Sequence, residues 1–118
     1  MKILIIDDNQ KITDMLESYL KLKNHDVTVS NDGRNGLSLM EESHFDATIL
    51  DIAMPEFSGF DVVNQLKKDG KVDGNKIVIL TAVPLSQAET DMLMSKGVHS
   101  ILKKPANLQV LLKTITGE

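Results

Sequence analysis

The chain has 118 residues, room for one ordinary domain and too few for two. Hydrophobic residues make up 42% and charged residues 25%, which excludes a disordered segment, while 3% aromatics leave Leu, Ile, Val and Met to fill the core. A net charge of −4 argues against non-specific nucleic-acid binding, the lack of cysteine excludes disulfides and thiolate chemistry, and no apolar run suits a signal peptide or a membrane span, so a cytoplasmic location is the simplest expectation.

Apolar runs alternate with amphipathic stretches along the chain. Ile3–Ile6 reads as a buried first strand, ended by Asp7-Asp8. From Asn9, a plausible N-cap, to Leu22, the residues Ile12, Met15, Leu16, Tyr19 and Leu20 recur at helical spacing. Val27–Val29 is a short second strand, Asn31-Asp32-Gly33 a turn, and Leu37, Leu39 and Met40 mark a second helix. Gly33 and Gly36 are read as turn residues rather than a phosphate loop, since no G-x-G-x-x-G or Walker pattern occurs. Ala47–Leu50 is a third strand ending at Asp51, and Ser58 caps a third helix with Phe60, Val62, Val63 and Leu66 inward. Gly70 and Gly74 punctuate a loop before a fourth strand, Ile77–Leu80, that ends at Thr81. A fourth helix runs from Ser86 to Lys96 with Gly97 as its C-cap. Ser100–Lys103 is a fifth strand, and beyond Pro105 a last helix covers about Asn107 to Thr116.

Fivefold strand–helix alternation predicts an α/β fold, a parallel sheet with helices on both faces. Right-handed crossovers favour the doubly wound, flavodoxin-like three-layer sandwich with strand order 2-1-3-4-5, spanning 1–118 as one domain. In such a sheet every strand's carboxyl end lies on one edge, where ligands bind. Asp7-Asp8, Asp51, Thr81 and Lys104 all follow apolar runs, so separate stretches deliver carboxylates, a hydroxyl and an ammonium to one crevice. Crowded carboxylates repel unless a cation relieves them, and a hard divalent ion such as Mg²⁺ takes carboxylate oxygens together with phosphate. A lysine and a hydroxyl beside them can neutralise and hold phosphoryl oxygens, and an aspartate can act as the nucleophile. Taken singly, each is more ordinary: Asp7-Asp8 suits a helix start, Asp51 a strand-end cap, Thr81 a turn and Lys104 a solvated surface.

Four motifs in order carry a resemblance: Asp7-Asp8, Asp51-Ile52-Ala53-Met54-Pro55 with Gly59 beyond it, Thr81-Ala82, and Lys104-Pro105. Over nearly its whole length the chain resembles the CheY-like receiver domains of two-component response regulators. The resemblance implies that Asp51 is the phosphoacceptor. It implies that Asp8 and Asp51 ligate Mg²⁺ directly, Asp7 through water, with the Ala53 carbonyl as a further ligand. Lys104 would pair with Asp51 and then with the phosphoryl group, Thr81 would hydrogen-bond that group, Ala82 would leave access to it, and the Lys104–Pro105 bond would be cis. Lys103 is the rival lysine, but alternation puts it on the opposite face. The implied partners are a sensor histidine kinase or phosphotransfer protein as donor and a downstream effector bound by the face of the fourth helix, fifth strand and fifth helix. No direct nucleic-acid or membrane binding is expected, and the oligomeric state is a monomer or a weak phosphorylation-dependent dimer.

Two departures matter. Ile101 stands where the family usually has a switching aromatic, so signalling is expected to run through the 81–86 loop and the fourth helix. Ala53 and Val83, two residues past Asp51 and Thr81, cannot orient a hydrolytic water, so self-dephosphorylation should be slow. Ala106 also replaces the large apolar residue that often follows the proline. Three other readings fit less well. An aspartate-nucleophile phosphatase would need its second Asp two residues beyond the first, whereas position 9 is Asn. A flavin carrier would need a hydroxyl-rich loop after the first strand. A receiver-shaped interaction module could work without phosphate. The chain is read as a switch, not an enzyme. No ligand spacing relates His25, His44 and His99.

Overall fold

The computed structural model describes residues 1–117. Its strands are β1 (Lys2–Ile6), β2 (Asp26–Ser30), β3 (Ala47–Leu50), β4 (Ile77–Thr81) and β5 (Ser100–Lys103), and its helices are α1 (Gln10–Leu22), α2 (Gly33–Glu42), α3 (Gly59–Lys68), α4 (Gln87–Ser95) and α5 (Leu108–Thr116). The strands form one parallel sheet in the order β2-β1-β3-β4-β5, the order that the alternation and right-handed crossovers favour.

The apolar runs become strands because both faces of the sheet are covered. Ile3–Ile6 and Ile77–Leu80 are buried without interruption, as a doubly wound parallel sheet demands. Alternate residues feed two cores. Leu4, Ile6, Leu50, Ile77 and Ile79 point into one with Leu37, Met40, Val62, Val63, Leu66 and Leu93 of α2, α3 and α4. Ile3, Ile5, Ile49, Val78 and Leu80 point into the other with Leu16, Leu20, Leu111 and Ile115 of α1 and α5.

The helix starts follow from their caps. The side chains of Asn9, Ser58, Ser86 and Asn107 accept backbone N–H bonds at the starts of α1, α3, α4 and α5, with reciprocal capping boxes at Ser58–Asp61 and Ser86–Glu89. Gly97, at φ 103°, follows α4 in the left-handed region where glycine carries no penalty.

One expectation is corrected. Gly33 and Gly36 belong to α2 rather than to a turn, and Asp32 caps that helix by accepting from the Asn35 N–H at 2.7 Å. Close packing selects glycine there. A Cβ on Gly36 would lie 2.6 Å from the Ile6 side chain, and one on Gly33 2.2 Å from the Phe57 carbonyl oxygen.

Candidate functional site

The carboxyl ends of β1, β3, β4 and β5 hand polar groups to the same crevice, two from β1 and one from each of the others. Asp7 follows β1 and is buried, and it is held on every side. Its N–H donates to the Ser30 carbonyl at 3.1 Å, and its own carbonyl accepts from Asn31 Nδ2 at 2.8 Å. Its Oδ1 accepts from the Asn9 N–H at 2.9 Å, and its Oδ2 from Lys104 Nζ at 2.7 Å. Asp8, the next residue, is exposed.

Asp51 follows β3, and its N–H donates to the Ile6 carbonyl at 2.9 Å, so the ends of β1 and β3 are locked together. Only 4% of Asp51 is exposed. The turn after it folds back tightly, and the Gly59 N–H donates to the Ile52 carbonyl at 2.9 Å. A Cβ on Gly59 would fall 2.3 Å from the Asp51 carbonyl oxygen and 2.9 Å from Ile52 Cα. Both obstacles are backbone and cannot swing aside, which is why the loop motif carries glycine there.

Thr81 ends β4 and is buried. Its hydroxyl accepts from the Val83 N–H at 3.0 Å and donates to the Val83 carbonyl at 3.2 Å. The implied contact of Thr81 with a phosphoryl group would therefore have to replace a bond within its own loop. The Lys104 N–H donates to the Thr81 carbonyl at 2.9 Å, which places the lysine beside β4, and the Lys104–Pro105 bond is cis.

The Lys104 ammonium sits between two acids, 2.7 Å from Asp7 and 3.3 Å from Asp51. Asp7 is thus its closer partner, and the contact with Asp51 that the resemblance implied is present as the longer of the two. Lys103 is exposed, in keeping with its lying outside the crevice. Ala53 and Ala82 are both exposed, so small side chains flank the opening. Ile101 is half-buried and packs against the core of α2, α3 and α4. It also lines a cavity of about 340 Å³ with Thr81, Val83, Leu85 and Thr90, next to the crevice.

The electrostatics follow from this crowding. Burial raises the Asp51 carboxyl above its usual range, and the Asp7 charge adds to the effect against the pull of Lys104. Burial pushes the Lys104 ammonium down, but its bond to Asp7 and the charges of Asp7 and Asp51 outweigh that, leaving it raised. Carboxylate oxygens of Asp7, Asp8 and Asp51 lie within 4.8 Å of one another. These hard oxygen donors, one of them open to solvent, fit a hydrated divalent cation of the Mg²⁺ kind. A nucleophilic carboxylate beside a lysine and a cation site can accept a phosphoryl group.

Asn31 is the residue that sequence reasoning missed. Read as part of a turn, it instead ties the Asp7 carbonyl to the Thr13 hydroxyl of α1, the latter at 3.2 Å. Its signal lay in the strand order. With β2 beside β1, the residue after β2 must border the residue after β1.

Comparison with known proteins agrees with this geometry. The family model described as the response regulator receiver domain matches residues 3–116. The chain is 34% identical to PilH of Pseudomonas aeruginosa over 120 aligned positions, covering 97% of this chain and 93% of PilH. It is 33% identical to the response regulator SaeR of Staphylococcus aureus over 103 positions, covering 87% of this chain but only 43% of SaeR. Among solved structures, the response regulator TrrA of Thermotoga maritima in complex with Mg(2+)-BeF superposes with a TM-score of 0.83, at 28% identity, covering 99% of this chain and 98% of TrrA.

Proposed function

The chain belongs to the response regulator receiver family, and from that membership we propose that it is a switch set by phosphorylation of Asp51. The observation that carries the assignment is the meeting of the Asp51 carboxylate with Asp7, Asp8 and the Lys104 ammonium at the end of a central strand. Asp51 is the nucleophile. Its Oδ forms a bond to phosphorus as the P–N bond of a phosphohistidine donor breaks, and that electron pair returns to the imidazole.

Asp7, Asp8, Asp51 and the Ala53 carbonyl would hold Mg²⁺, which when bound neutralises charge on the transferring group. Lys104 moves from its carboxylate partners to a phosphoryl oxygen, the Ala82 N–H faces a second, and the Thr81 hydroxyl a third. The donor is a sensor histidine kinase or a phosphotransfer protein. The product is a conformational state rather than a turned-over substrate, read by an effector at the α4–β5–α5 face. The whole chain acts as one receiver domain, cytoplasmic, as a monomer or as a weak dimer formed on phosphorylation. No helix among the described residues is long and apolar enough to cross a membrane.

The test is intact mass after incubation with Mg²⁺ and acetyl phosphate. One added phosphoryl group is expected in the native chain, and none in Asp51→Asn or in chelator. No gain in the native chain, with BeF₃⁻ binding also absent, would overturn the assignment. Val83, 44% exposed two residues past Thr81, offers no polar atom in its side chain to orient a hydrolytic water. The phosphorylated chain should therefore decay slowly and Val83→Glu should decay faster, both followed by mass over time. Fast decay of the native chain contradicts this.

A further inference from the structure

A cavity lies away from the acidic crevice, at the opposite edge of the sheet, where α1 and α5 lie on the same face. It encloses about 710 Å³ between the faces of α1 and α5, and Met1 and His25, which precede β1 and β2, complete its lining. Tyr19 and Lys23, one turn apart, supply the α1 side. Gln109, Leu112, Lys113 and Thr116 supply the α5 side, at the i, i+3, i+4, i+7 spacing of a single stripe about 10 Å long. Leu112 and Tyr19 form an apolar floor continuous with the core beneath, since both pack on the cluster of Leu16, Leu20, Leu111 and Ile115.

Apolar surface extends beyond the groove. Met15 and Leu22 share the α1 face with Tyr19 by their spacing and are 48% and 80% exposed, the latter the most exposed large hydrophobic residue among those described. The rim is one-signed. Lys23, 5.7 Å from the Tyr19 ring centre, and Lys113 stand on facing sides, and no carboxylate among the described residues lines the groove. That local excess of positive charge contrasts with a chain of net charge −4.

We propose that this groove docks an acidic amphipathic helix of a partner protein. Two parallel ridges with an apolar floor match the shape of a third helix, whose own apolar stripe would cover Tyr19 and Leu112. Acidic residues flanking that stripe would face Lys23 and Lys113, which sets orientation and excludes basic partners. A membrane surface is flat and would leave the concave floor uncovered. The inference is independent of the phosphoacceptor assignment, because none of these residues belongs to the crevice.

The test uses the full chain, isotope-labelled for NMR, and a designed helical peptide of roughly 15 residues with leucines at i, i+3, i+4, i+7 and flanking glutamates. Chemical-shift changes should cluster at Tyr19, Lys23, Leu112 and Lys113. Affinity should fall with added salt and drop about tenfold in the paired variant Lys23→Glu, Lys113→Glu. Both positions are exposed, and an unchanged thermal transition together with unchanged reaction with acetyl phosphate verifies the fold. Gln109→Glu adds one negative charge to the same rim and should weaken binding by itself. Absence of shifts at millimolar peptide would overturn the proposal. So would shifts elsewhere, an equal response to a peptide with lysine in place of each glutamate, or binding of phosphatidylglycerol vesicles in preference to the peptide.

Discussion

A raised carboxyl at Asp51 has a consequence for stability whose sign is fixed. The unfolded chain gives up this proton more readily than the folded one, so folding is penalised as the pH climbs from the unfolded value through the folded value, and the penalty persists above both. In chelator at neutral pH, Asp51→Asn should therefore melt higher than the native chain and show a flatter decline of Tm across the carboxylate range. A lower Tm in the variant would mean that the Lys104 contact outweighs burial and the charge of Asp7. Thr48 makes a second residue-level case. It lies on β3, buried, and its hydroxyl has no hydrogen-bond partner among the described residues. A buried hydroxyl with no partner costs free energy that an apolar isostere does not, so Thr48→Val should gain about 1 kcal/mol in urea unfolding. No gain would show that water reaches the hydroxyl.

At the level of elements, α4 differs from its neighbours. It buries Leu93 fully and nothing else, whereas α3 buries Val62, Val63 and Leu66 as well as Gly59. An element held by one buried anchor shifts at lower cost than one held by three, so amides of α4 should exchange faster than those of α3. With Mg²⁺ and BeF₃⁻, the largest change in exchange should fall in residues 81–86 and α4, because Ile101 provides no rotating aromatic. An unchanged loop would remove this route of signalling. The elements themselves were readable in the chain. β3 and β5 fall where their apolar runs place them, and β1, β2 and β4 extend their runs by only a residue or so. Caps at Asn9 and Ser58 were legible because capping is local chemistry. Gly33 and Gly36 misled because their reason lies in Phe57 and Ile6, which no local pattern reveals. Asn31 was missed likewise, since its partner Asp7 lies 24 positions away.

For the whole molecule, the crevice is a product of folding. Lys104 and Asp7 are 97 positions apart in sequence, and Asp51 lies between them on a different strand. Only the complete sheet gathers the donors, so a cation that binds them favours the folded chain over the unfolded one. Saturating Mg²⁺ should raise Tm in proportion to ln[Mg²⁺], adding roughly 2.7 kcal/mol at 100 times Kd. Asp8→Asn, which removes an exposed donor without opening the core, should lose most of that rise. A rise of equal size in the variant would place the ion elsewhere.

The Thr81 hydroxyl has one proton, and it is committed to the Val83 carbonyl while the same oxygen accepts from the Val83 N–H. Reaching toward a phosphoryl oxygen means surrendering that proton from the loop, so the resting loop acts as a competing ligand for Thr81. The two choices form a thermodynamic cycle, and cycles are reciprocal. Any effector that grips the released 81–86 loop must tighten BeF₃⁻ binding by the same factor by which BeF₃⁻ tightens the effector. An effector that reads the released loop would therefore bias the chain toward a phosphorylated form without approaching Asp51.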